Sequence, residues 1–296
     1  MAIRQSLTDR LLGRLVRFLL WLMARIPPDR AADLAAFFAR TLGPLLPVQR
    51  IALANLRAAF PERDAAWHRA IAREAWDNLG RVAGEYVHLG RIWDYDEAHP
   101  NAGRIETADA AKLIALRDDG KPALCFAAHL GNWELPAVAA AMHGLDSAVV
   151  YRMPNIASIA RAITRIRAPL MGRLIRSRPE AVFAMAGALE SGAHLGMLID
   201  QHFSRGVDIE FFGRRCKANP TLARLARQFD CPVVGVRVIR LPGRRFRIEA
   251  TDPIDLPRDA AGRIDVAAAT QAINTIVEGW VREHPGQWLW FHRRWR

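Results

Sequence analysis

The chain has 296 residues, of which 51% are hydrophobic, so it can bury a full core and is not a disordered protein. Its formal net charge is +12, and all but three of its 42 basic residues are arginines. Because arginine keeps its charge and binds phosphate through two parallel hydrogen bonds, the composition indicates an anionic partner. Nucleic acid, an anionic membrane, a phosphorylated lipid and an acidic carrier protein are all candidates, and genomic composition bias is an alternative source of the arginines.

The three cysteines, Cys125, Cys216 and Cys231, are odd in number and widely spaced. This pattern predicts neither a disulfide framework nor a zinc site, and it is typical of a protein from a reducing compartment. Cys125 lies in an apolar run, so we expect a buried structural thiol there and not a nucleophile.

Residues 11–26 (LLGRLVRFLLWLMARI) are apolar but are interrupted by three arginines. A membrane-spanning helix needs about 20 mostly apolar residues, so the pattern favours a helix that lies in the membrane interface. A short tilted span and an ordinary amphipathic helix are the alternatives. A second helix is predicted over residues 29–42, ending before Pro44 and Pro47. We therefore expect a membrane-associating helical segment over residues 1–47 and the main domain over residues 48–296.

Strands and helices alternate in the main domain after three initial helices over residues 48–60, 64–91 and 106–117. Strands are predicted over residues 122–128, 147–151, 174–175, 194–199, 232–239 and 246–250. Helices are predicted over residues 133–142, 156–167, 180–190, 220–229 and 266–283. The last two strands are expected to pair antiparallel across the turn at Pro242-Gly243. The pattern predicts an α/β fold with a central, mostly parallel sheet flanked by helices.

Three polar residues directly follow predicted strands. His129 comes after the first strand, Arg152 after the second and Asp200 after the fourth. In open parallel sheets, ligands bind at the carboxyl ends of the strands. The sequence therefore predicts a functional site at this edge of the sheet.

The segment HLGNWE, residues 129–134, has the spacing of a general base and an orienting carboxylate. Gly131 and Asn132 supply a turn and a helix cap, so that Glu134 can fold back to the His129 imidazole. Glu134 would then fix the tautomer and stabilise the imidazolium, which leaves the other ring nitrogen to take a proton from a substrate hydroxyl. A structural role is the alternative for such a pair. The sequence has no HExxH zinc motif, GxSxG elbow, P-loop or dinucleotide fingerprint.

Six segments, including the one around His129, resemble the lysophospholipid and lipid A acyltransferase superfamily, whose mark is H-x(4)-D/E. They are similar to the late lipid A acyltransferases of the lauroyl and myristoyl type. In chain order the segments are NLRAAFPE (55–62), AHLGNWE (128–134), VYRMPN (150–155), LIDQ (198–201), EFFG (210–213) and HPGQWLWFHRRWR (284–296). They span nearly the whole chain, which is more specific than the His–Glu spacing alone.

The resemblance implies an O-acyltransferase on the cytoplasmic face of the bacterial inner membrane. The donor would be a fatty acyl chain held as a thioester on acyl carrier protein, and His129 would be the base for the acceptor hydroxyl. The acceptor would be a hydroxyacyl chain of a phosphorylated glycolipid, the lipid A precursor. An acidic carrier protein, phosphorylated glycolipid and anionic membrane surface all match the arginine excess. This chemistry requires no metal or organic cofactor, and nucleic acid is not an expected partner.

Two arginines are the predicted phosphate ligands. Arg152 follows a strand and lies in the matching segment VYRMPN, so we expect it to bind phosphate of the donor or the acceptor. Arg167 is the member of a basic amphipathic stretch that the resemblance favours, because the family has an arginine a few residues before a glycine, here Gly172. A solvated helix face is the alternative for the arginines of this stretch.

Three further residues are expected to contact substrate. Asp200 would orient an arginine or the acceptor sugar, or else cap a turn, and Gln201 accompanies it. Asn132 adjoins the predicted base and is also expected to cap the following helix. The C-terminal WLWFHRRWR combines aromatic and basic residues as membrane-interface segments do, with a core strand and a charged tail as the alternative.

Two other functions remain open at this stage. The first is acylation of a different membrane lipid, such as a glycolipid or a lyso-lipid, by a member of the same superfamily. The sequence has no clear FxEGTR block, and residues 210–213 occupy that region, which counts against glycerol phosphate as acceptor. The second is a basic nucleic-acid-binding protein, although the basic residues accompany apolar helix faces and match no nucleic-acid motif.

Overall fold

Seven strands form the central sheet of this computed structural model, which describes residues 7–100, 102–153, 156–178 and 180–295. In chain order the strands are β1 (Ile105–Glu106), β2 (Leu124–Ala127), β3 (Ser147–Tyr151), β4 (Arg173–Arg176), β5 (His194–Leu198), β8 (Val233–Leu241) and β9 (Arg245–Ala250). Their spatial order is β1-β9-β8-β2-β5-β3-β4. Five neighbouring strands, from β8 to β4, are parallel, and β9 pairs antiparallel with β8. The predicted mostly parallel sheet and its antiparallel pair are confirmed.

The described helices cover the sheet and extend from its N-terminal side. They are α1 (Leu7–Met23), α2 (Pro28–Leu42), α3 (Val48–Ala59), α4 (Ala65–Glu85), α5 (Leu89–Ile92), α6 (Ala110–Asp118), α7 (Leu135–Met142), α8 (Ala157–Arg167), α9 (Ala181–Glu190), α10 (Thr221–Phe229) and α11 (Val266–Glu283). One sheet face, with Leu124 and Phe126, packs against α9, α10 and α11. The other face, with Val234 and Val236, packs against α5, α6 and α7. Helices therefore lie on both faces, as predicted.

Tertiary pairing changes one predicted helix. Ile105 and Glu106 form β1 and pair with Phe246 and Arg247 of β9. Of these two residues, Glu106 is the first of the predicted helix 106–117. The Glu106 carboxylate also accepts a hydrogen bond from Arg247 Nε at 2.8 Å. These long-range contacts hold Glu106 in a strand, so α6 begins at Ala110.

The sequence reasoning missed an antiparallel hairpin of β6 (Val207–Phe211) and β7 (Arg214–Ala218), which lies apart from the central sheet. Phe212 and Gly213 form its turn, and both have positive φ angles, 56° and 65°. Two such residues give the backbone twist that a two-residue hairpin requires. The alternating apolar residues of β6 were the signal for this strand.

The N-terminal helices lie against the main domain through small residues. α2 packs on α4 so closely that a Cβ added at Gly84 would stand 2.4 Å from the Ala31 carbonyl oxygen. Within the described residues, no single helix is long and apolar enough to span a membrane. One bent pair, residues 28–45 and 48–59 meeting at 85°, meets the criteria of length and composition only.

The C-terminal segment after α11 is part of the core. Trp288, Trp290 and Arg294 are all fully buried. Arg294 donates hydrogen bonds to the Lys217 carbonyl oxygen and to Asn274 Oδ1. The expectation of a membrane-interface segment is therefore wrong for these three side chains, because the protein itself covers them. Arg296 lies outside the described residues.

The turn after β2 is held under tight steric restraint. Gly131 has a φ of 58°, and a Cβ added there would stand 2.2 Å from the Val238 carbonyl oxygen. Its amide donates to the Gln287 carbonyl oxygen at 3.1 Å, and its carbonyl oxygen accepts from Asn78 Nδ2 at 3.0 Å. Glycine is therefore required here both for the backbone angle and for the close approach of β8.

We predict that Gly131→Ala destabilises the fold much more than Gly120→Ala. Both glycines have positive φ, but a Cβ at Gly120 meets nothing within 4 Å. The angle alone should cost about 1–2 kcal/mol at either position, and the clash with β8 should at least double the loss at Gly131. The free energies of unfolding of the two variants and the wild type, from denaturant titrations, test this. Equal losses in the two variants would contradict the steric argument.

Candidate active site

Two neighbouring parallel strands bring His129 and Asp200 together. β2 pairs with β5 so that Ala127 faces Leu198, and two residues further along each strand His129 and Asp200 meet. His129 Nδ1 lies 2.8 Å from Asp200 Oδ1, and the His129 backbone N–H donates to Asp200 Oδ2 at 2.9 Å. A carboxylate can only accept, so Nδ1 carries the proton and Nε2 is the unprotonated nitrogen of the ring.

Asp200 is fully buried, and its carboxylate accepts a third hydrogen bond. The Trp288 indole N–H donates to Asp200 Oδ2 at 2.7 Å. Burial alone would raise the pKa of Asp200, but the charge and hydrogen bonds of His129 lower it well below its usual range. Asp200 is therefore ionised at neutral pH, and its hydrogen bonds fix the tautomer and orientation of the imidazole. The sequence reasoning gave Asp200 a different role and did not single out Trp288.

Glu134 contacts Arg167 and not His129. Arg167 Nε donates to Glu134 Oε2 at 3.0 Å, and Arg167 Nη2 donates to Oε1 at 2.5 Å. Among the described residues, the ring of His129 has hydrogen-bond partners only in Asp200 and Gln201. The predicted Glu134–His129 contact is therefore wrong. Asp200 bonds the imidazole instead, and the buried Glu134 carboxylate forms two hydrogen bonds with Arg167, which is the stronger kind of pairing.

Arg167 ends α8 and is held from several sides. Its guanidinium lies 5.7 Å from the ring centre of Tyr86 and 5.8 Å from that of Tyr151. Burial alone would lower the pKa of Arg167, but the Glu134 carboxylate outweighs this and the pKa is raised. Arg167 and Glu134 both line the cavity beside His129. The predicted phosphate ligand is thus largely committed to an ion pair within the protein.

Asn132 links the site to a buried charge network. Its Nδ2 donates to Glu85 Oε2 at 2.8 Å, and its Oδ1 accepts the backbone N–H of Glu134 at 3.2 Å. Glu85 also receives both terminal nitrogens of Arg240, at 2.5 and 2.9 Å. The predicted capping role is wrong, because α7 begins at Leu135 with Glu134 at its N-cap, and the Asn132 side chain bonds the turn before the helix. Asn132 is fully buried and does not line the cavity, so its predicted direct contact with substrate is wrong.

The buried C-terminal segment supports the same turn from the other side. The Leu289 amide donates to the His129 carbonyl oxygen at 3.1 Å. The Gln287 side chain bonds both backbone groups of Arg240, at 2.8 and 2.9 Å. The C-terminal segment thus holds the backbone of His129 through Leu289, although the two residues are far apart in the chain. The aromatic C-terminal motif was the signal for this, but its role required the tertiary structure.

An apolar cavity of about 790 Å³ lies beside His129. It runs along the sheet face that carries Cys125, Ala127 and Gly196, and α7 covers it with residues that include Ala137. Because these side chains are small, the sheet and the helix do not fill the space between them, as larger side chains would. The volume lies in the range typical of small-molecule sites.

Cys125 lies in the wall of this cavity and is half-buried. Burial, followed by the proximity of Cys231, raises the pKa of the Cys125 thiol to about 12. The thiol therefore stays protonated at neutral pH, and the thiolate is the nucleophilic form of cysteine. This agrees with the expectation of a structural thiol.

Arg152 and Gln201 also line the cavity. Arg152 is exposed, and its side chain has no hydrogen bond or ion pair with any described residue. Gln201 Nε2 lies 3.5 Å from His129 Nε2, on the reactive side of the ring. Two residues of the matching segment around Arg152, Pro154 and Asn155, lie outside the described residues. Both cavity residues remain available to a bound substrate.

The site thus combines a histidine that a buried carboxylate orients with an apolar cavity. The free Nε2 of His129 can accept a proton from a hydroxyl, and the Asp200 carboxylate can stabilise the imidazolium that results. The cavity can hold a hydrocarbon chain next to that nitrogen. Within the described part of the chain, no three His, Cys, Asp or Glu side chains form a cluster that could hold a metal ion.

We predict that Asp200→Asn makes the stability of the protein less sensitive to acid. Because folding lowers the pKa of Asp200, this carboxylate stabilises the native state above the unfolded-state value of about 3.9. Its contribution is lost as the pH falls through that value toward the lower folded-state pKa. The free energy of unfolding should therefore fall more steeply between pH 6 and pH 3 in the wild type than in the variant.

The control is Asp255→Asn, at an exposed aspartate with no side-chain partner among the described residues. Denaturant titrations at each pH give the three curves. A wild-type curve parallel to that of Asp200→Asn would show that the folded-state pKa of Asp200 is not lowered.

Comparison with known proteins gives one clear result. A comparison with curated proteins returns no match. Residues 3–296, nearly the whole chain, match the family described as bacterial lipid A biosynthesis acyltransferase. This stretch contains His129, its partner Asp200 and the cavity, and it includes all six sequence segments that carry the resemblance. The chain belongs to the bacterial lipid A biosynthesis acyltransferase family.

Proposed function

We propose that this protein transfers a fatty acyl chain from an acyl carrier protein thioester to a hydroxyl of a lipid A precursor, with His129 as the general base. The observation that carries the proposal is the His129–Asp200 pair at the wall of the apolar cavity. Family membership supports acyl transfer in lipid A biosynthesis. The donor, the base and the lauroyl or myristoyl type of chain are our proposals.

The proposed reaction needs one base and no covalent enzyme intermediate. His129 Nε2 takes the proton of the acceptor hydroxyl while the hydroxyl oxygen attacks the thioester carbonyl carbon. The tetrahedral intermediate then collapses, the carbon–sulfur bond breaks, and the leaving thiolate takes the proton back from the imidazolium. Asp200 stabilises the imidazolium throughout. The product is an ester on the acceptor and a free thiol on the donor.

Glu134 and Arg167 are proposed to act as a unit at the cavity wall. Glu134 holds the guanidinium in place through two hydrogen bonds, and two tyrosine rings flank it. A fixed positive charge near the thioester would stabilise negative charge that develops on the carbonyl oxygen. Gln201 is proposed to contact the reacting groups because its amide faces His129 Nε2.

Arg152 is the proposed phosphate ligand. It is exposed at the cavity and is not engaged by any described carboxylate. Its guanidinium is therefore free to bind a phosphate of the donor prosthetic group or of the glycolipid acceptor. The net charge of +12 further favours an acidic carrier protein as a partner.

The nature of the acceptor has one specific alternative. The base, the cavity and the free arginine would equally serve acylation of another membrane glycolipid or lyso-lipid. Family membership favours lipid A. Mass spectrometry of the products formed from a lipid A precursor and from total membrane lipid would separate the two acceptors.

We also propose that residues 1–47 attach the protein to the cytoplasmic face of the inner membrane. Large apolar side chains are exposed along both N-terminal helices, among them Leu11, Leu15, Phe18, Leu19 and Trp21 on α1 and Leu34, Phe37, Phe38 and Leu42 on α2. Soluble monomers rarely expose so much contiguous apolar surface, so it supports contact with a lipid surface. Arg25 lies 4.5 Å from the Trp21 ring centre, an aromatic and basic pair suited to headgroups.

We predict that His129→Ala abolishes acyl transfer and leaves membrane association unchanged. Loss of a general base typically costs about 10²–10⁴-fold in rate, and the base lies outside the N-terminal helices. Asp200→Asn should lose a large part of the same factor, because the imidazole then lacks its carboxylate. The assay measures transfer from acyl carrier protein thioester to tetra-acylated lipid A precursor in membranes that contain each variant.

His99→Ala is the matched control. His99 also pairs with an aspartate, Asp96 at 2.9 Å, but it is exposed and does not line the cavity. This variant should transfer at the wild-type rate. Wild-type activity in His129→Ala would refute the assigned base, and a wild type inactive with this acceptor but active on another lipid would refute the acceptor.

We predict that replacing Phe37 and Phe38 by serine weakens binding to vesicles of phosphatidylglycerol by about tenfold or more. Burial of each phenylalanine in the lipid interface contributes on the order of 1–3 kcal/mol, and serine forfeits it. The control is Phe183→Ser on α9, an exposed phenylalanine outside the N-terminal helices. Vesicle co-sedimentation gives the partition coefficients. Equal losses in both variants would contradict attachment through α2.

A further inference from the structure

The end of the cavity away from His129 is polar. Ser147, the first residue of β3, and His194, the first residue of β5, both line the cavity. The register of the two strands places these residues side by side. Both belong to the cavity face of the sheet, because Val149 and Gly196 follow two positions later in their strands and also line the cavity.

These two side chains have no partner within the described protein. Ser147 is 6% exposed and His194 is 5% exposed. The Ser147 hydroxyl and both ring nitrogens of His194 make no hydrogen bond with any described residue. Buried polar atoms are normally hydrogen-bonded, so three such atoms together indicate a place that hydrocarbon does not occupy favourably. A hydrocarbon chain that packs against these polar atoms would offer them no hydrogen bond and would exclude any other hydrogen-bond partner.

The part of the cavity wall next to this pair, on the side toward His129, is apolar. Cys125, Val149 and Gly196 lie next to one another across β2, β3 and β5. Their side chains are small or apolar and expose no charge to the cavity. A chain that ends at this level buries its terminal methyl group favourably, whereas a longer chain must reach the polar pair.

The positions of Gly196 and His194 along β5 give the length of hydrocarbon chain that fits between the Asp200 end of the cavity and the polar pair. Gly196 lies four residues before Asp200 and His194 lies six before it, which at about 3.3 Å per residue is roughly 13 Å and roughly 20 Å. An extended hydrocarbon advances about 1.3 Å per carbon, given tetrahedral bonds of about 1.5 Å. The apolar part of the cavity thus holds roughly 10 carbons, and a chain of roughly 15 carbons reaches the polar pair.

We propose that Ser147 and His194 form a polar floor that limits the length of the transferred acyl chain, with Gly196 setting the free depth above it. The inference rests on the proposed function, since it assumes that the cavity holds the acyl chain of the donor. It makes these three residues determinants of specificity, with no part in the proton transfers.

Two sets of variants move the limit in opposite directions. Gly196→Leu fills the cavity at mid-depth, and a Cβ added at Gly196 meets neighbours only at 3.9 and 4.0 Å, so the first atom of the new side chain fits without a clash. Its preferred chain should be shorter than that of the wild type by about four carbons. Replacing Ser147 and His194 together by alanine removes the polar atoms and deepens the cavity. The ratio of transfer of 16-carbon to 12-carbon chains should then rise at least tenfold.

The controls change the same residue types away from the cavity. Gly187→Leu alters an exposed glycine with open space around it, and His99→Ala removes an exposed histidine. Neither should change the chain preference. Gly196→Ala is a milder second variant, with a smaller shift in the same direction, should Gly196→Leu not fold.

The experiment uses full-length protein in lipid nanodiscs and two readouts. Acyl carrier protein thioesters of 8 to 18 carbons are compared by kcat/KM, and free fatty acids of the same lengths are compared by calorimetric binding. Opposite shifts in the two variant sets, in both readouts, are the expected result. An unchanged length preference in both sets, or fatty-acid binding that does not depend on length, would overturn the polar floor.

The two readouts also separate this inference from the proposed function. Length-dependent fatty-acid binding that shifts in the variants, without transfer from any thioester, would support the floor and refute the proposed reaction. Transfer with an unshifted preference would support the reaction and refute the floor.

Discussion

The buried carboxylate of Asp200 is the constraint on which the site depends. It accepts three hydrogen bonds, from the backbone and the ring of His129 and from the Trp288 indole, so neither oxygen is left unpaired. An ionised carboxylate without such partners would be too costly to bury. The same bonds determine which nitrogen of His129 is basic and where it points. The sheet, the turn after β2 and the C-terminal segment must all be in place for these bonds to form.

A second buried charge is part of a hydrogen-bond network that holds the turn after β2. Glu85 of α4 binds Arg240 of β8 and the Asn132 amide, and Asn78 joins the same network through Arg240. Buried ion pairs add little net stability, but they are very sensitive to the loss of one partner. The network therefore requires α4, β8 and the turn to adopt one relative arrangement. Since α4 also packs on α2, the N-terminal helices are coupled to the position of the turn.

The cavity follows from the size of side chains on one sheet face. Leu124 and Phe126 fill the face toward α9, α10 and α11, whereas Cys125 and Ala127 alternate with them on the face toward α7. Strand geometry forces this alternation, because successive side chains point to opposite sides. The face toward α9, α10 and α11 is thus a packed core, and the other face leaves a space with His129 at one end. Cys125 and Ala127 of β2 thus line the cavity, and His129 follows two residues after the end of that strand.

The sequence by itself determined most of the order of strands and helices, and it singled out His129 and the carboxyl edge of the parallel strands as the place of the candidate site. Periodicity and turn residues are local signals, and a histidine after a buried strand is visible without a structure. The partners of the charged residues were decided by tertiary structure alone. Asp200 replaced Glu134 beside His129 because β2 and β5 are neighbours, although β3 and β4 lie between them in the chain. Trp288 reached Asp200 for the same reason: proximity across 88 residues depends on how the whole sheet and its C-terminal cover assemble.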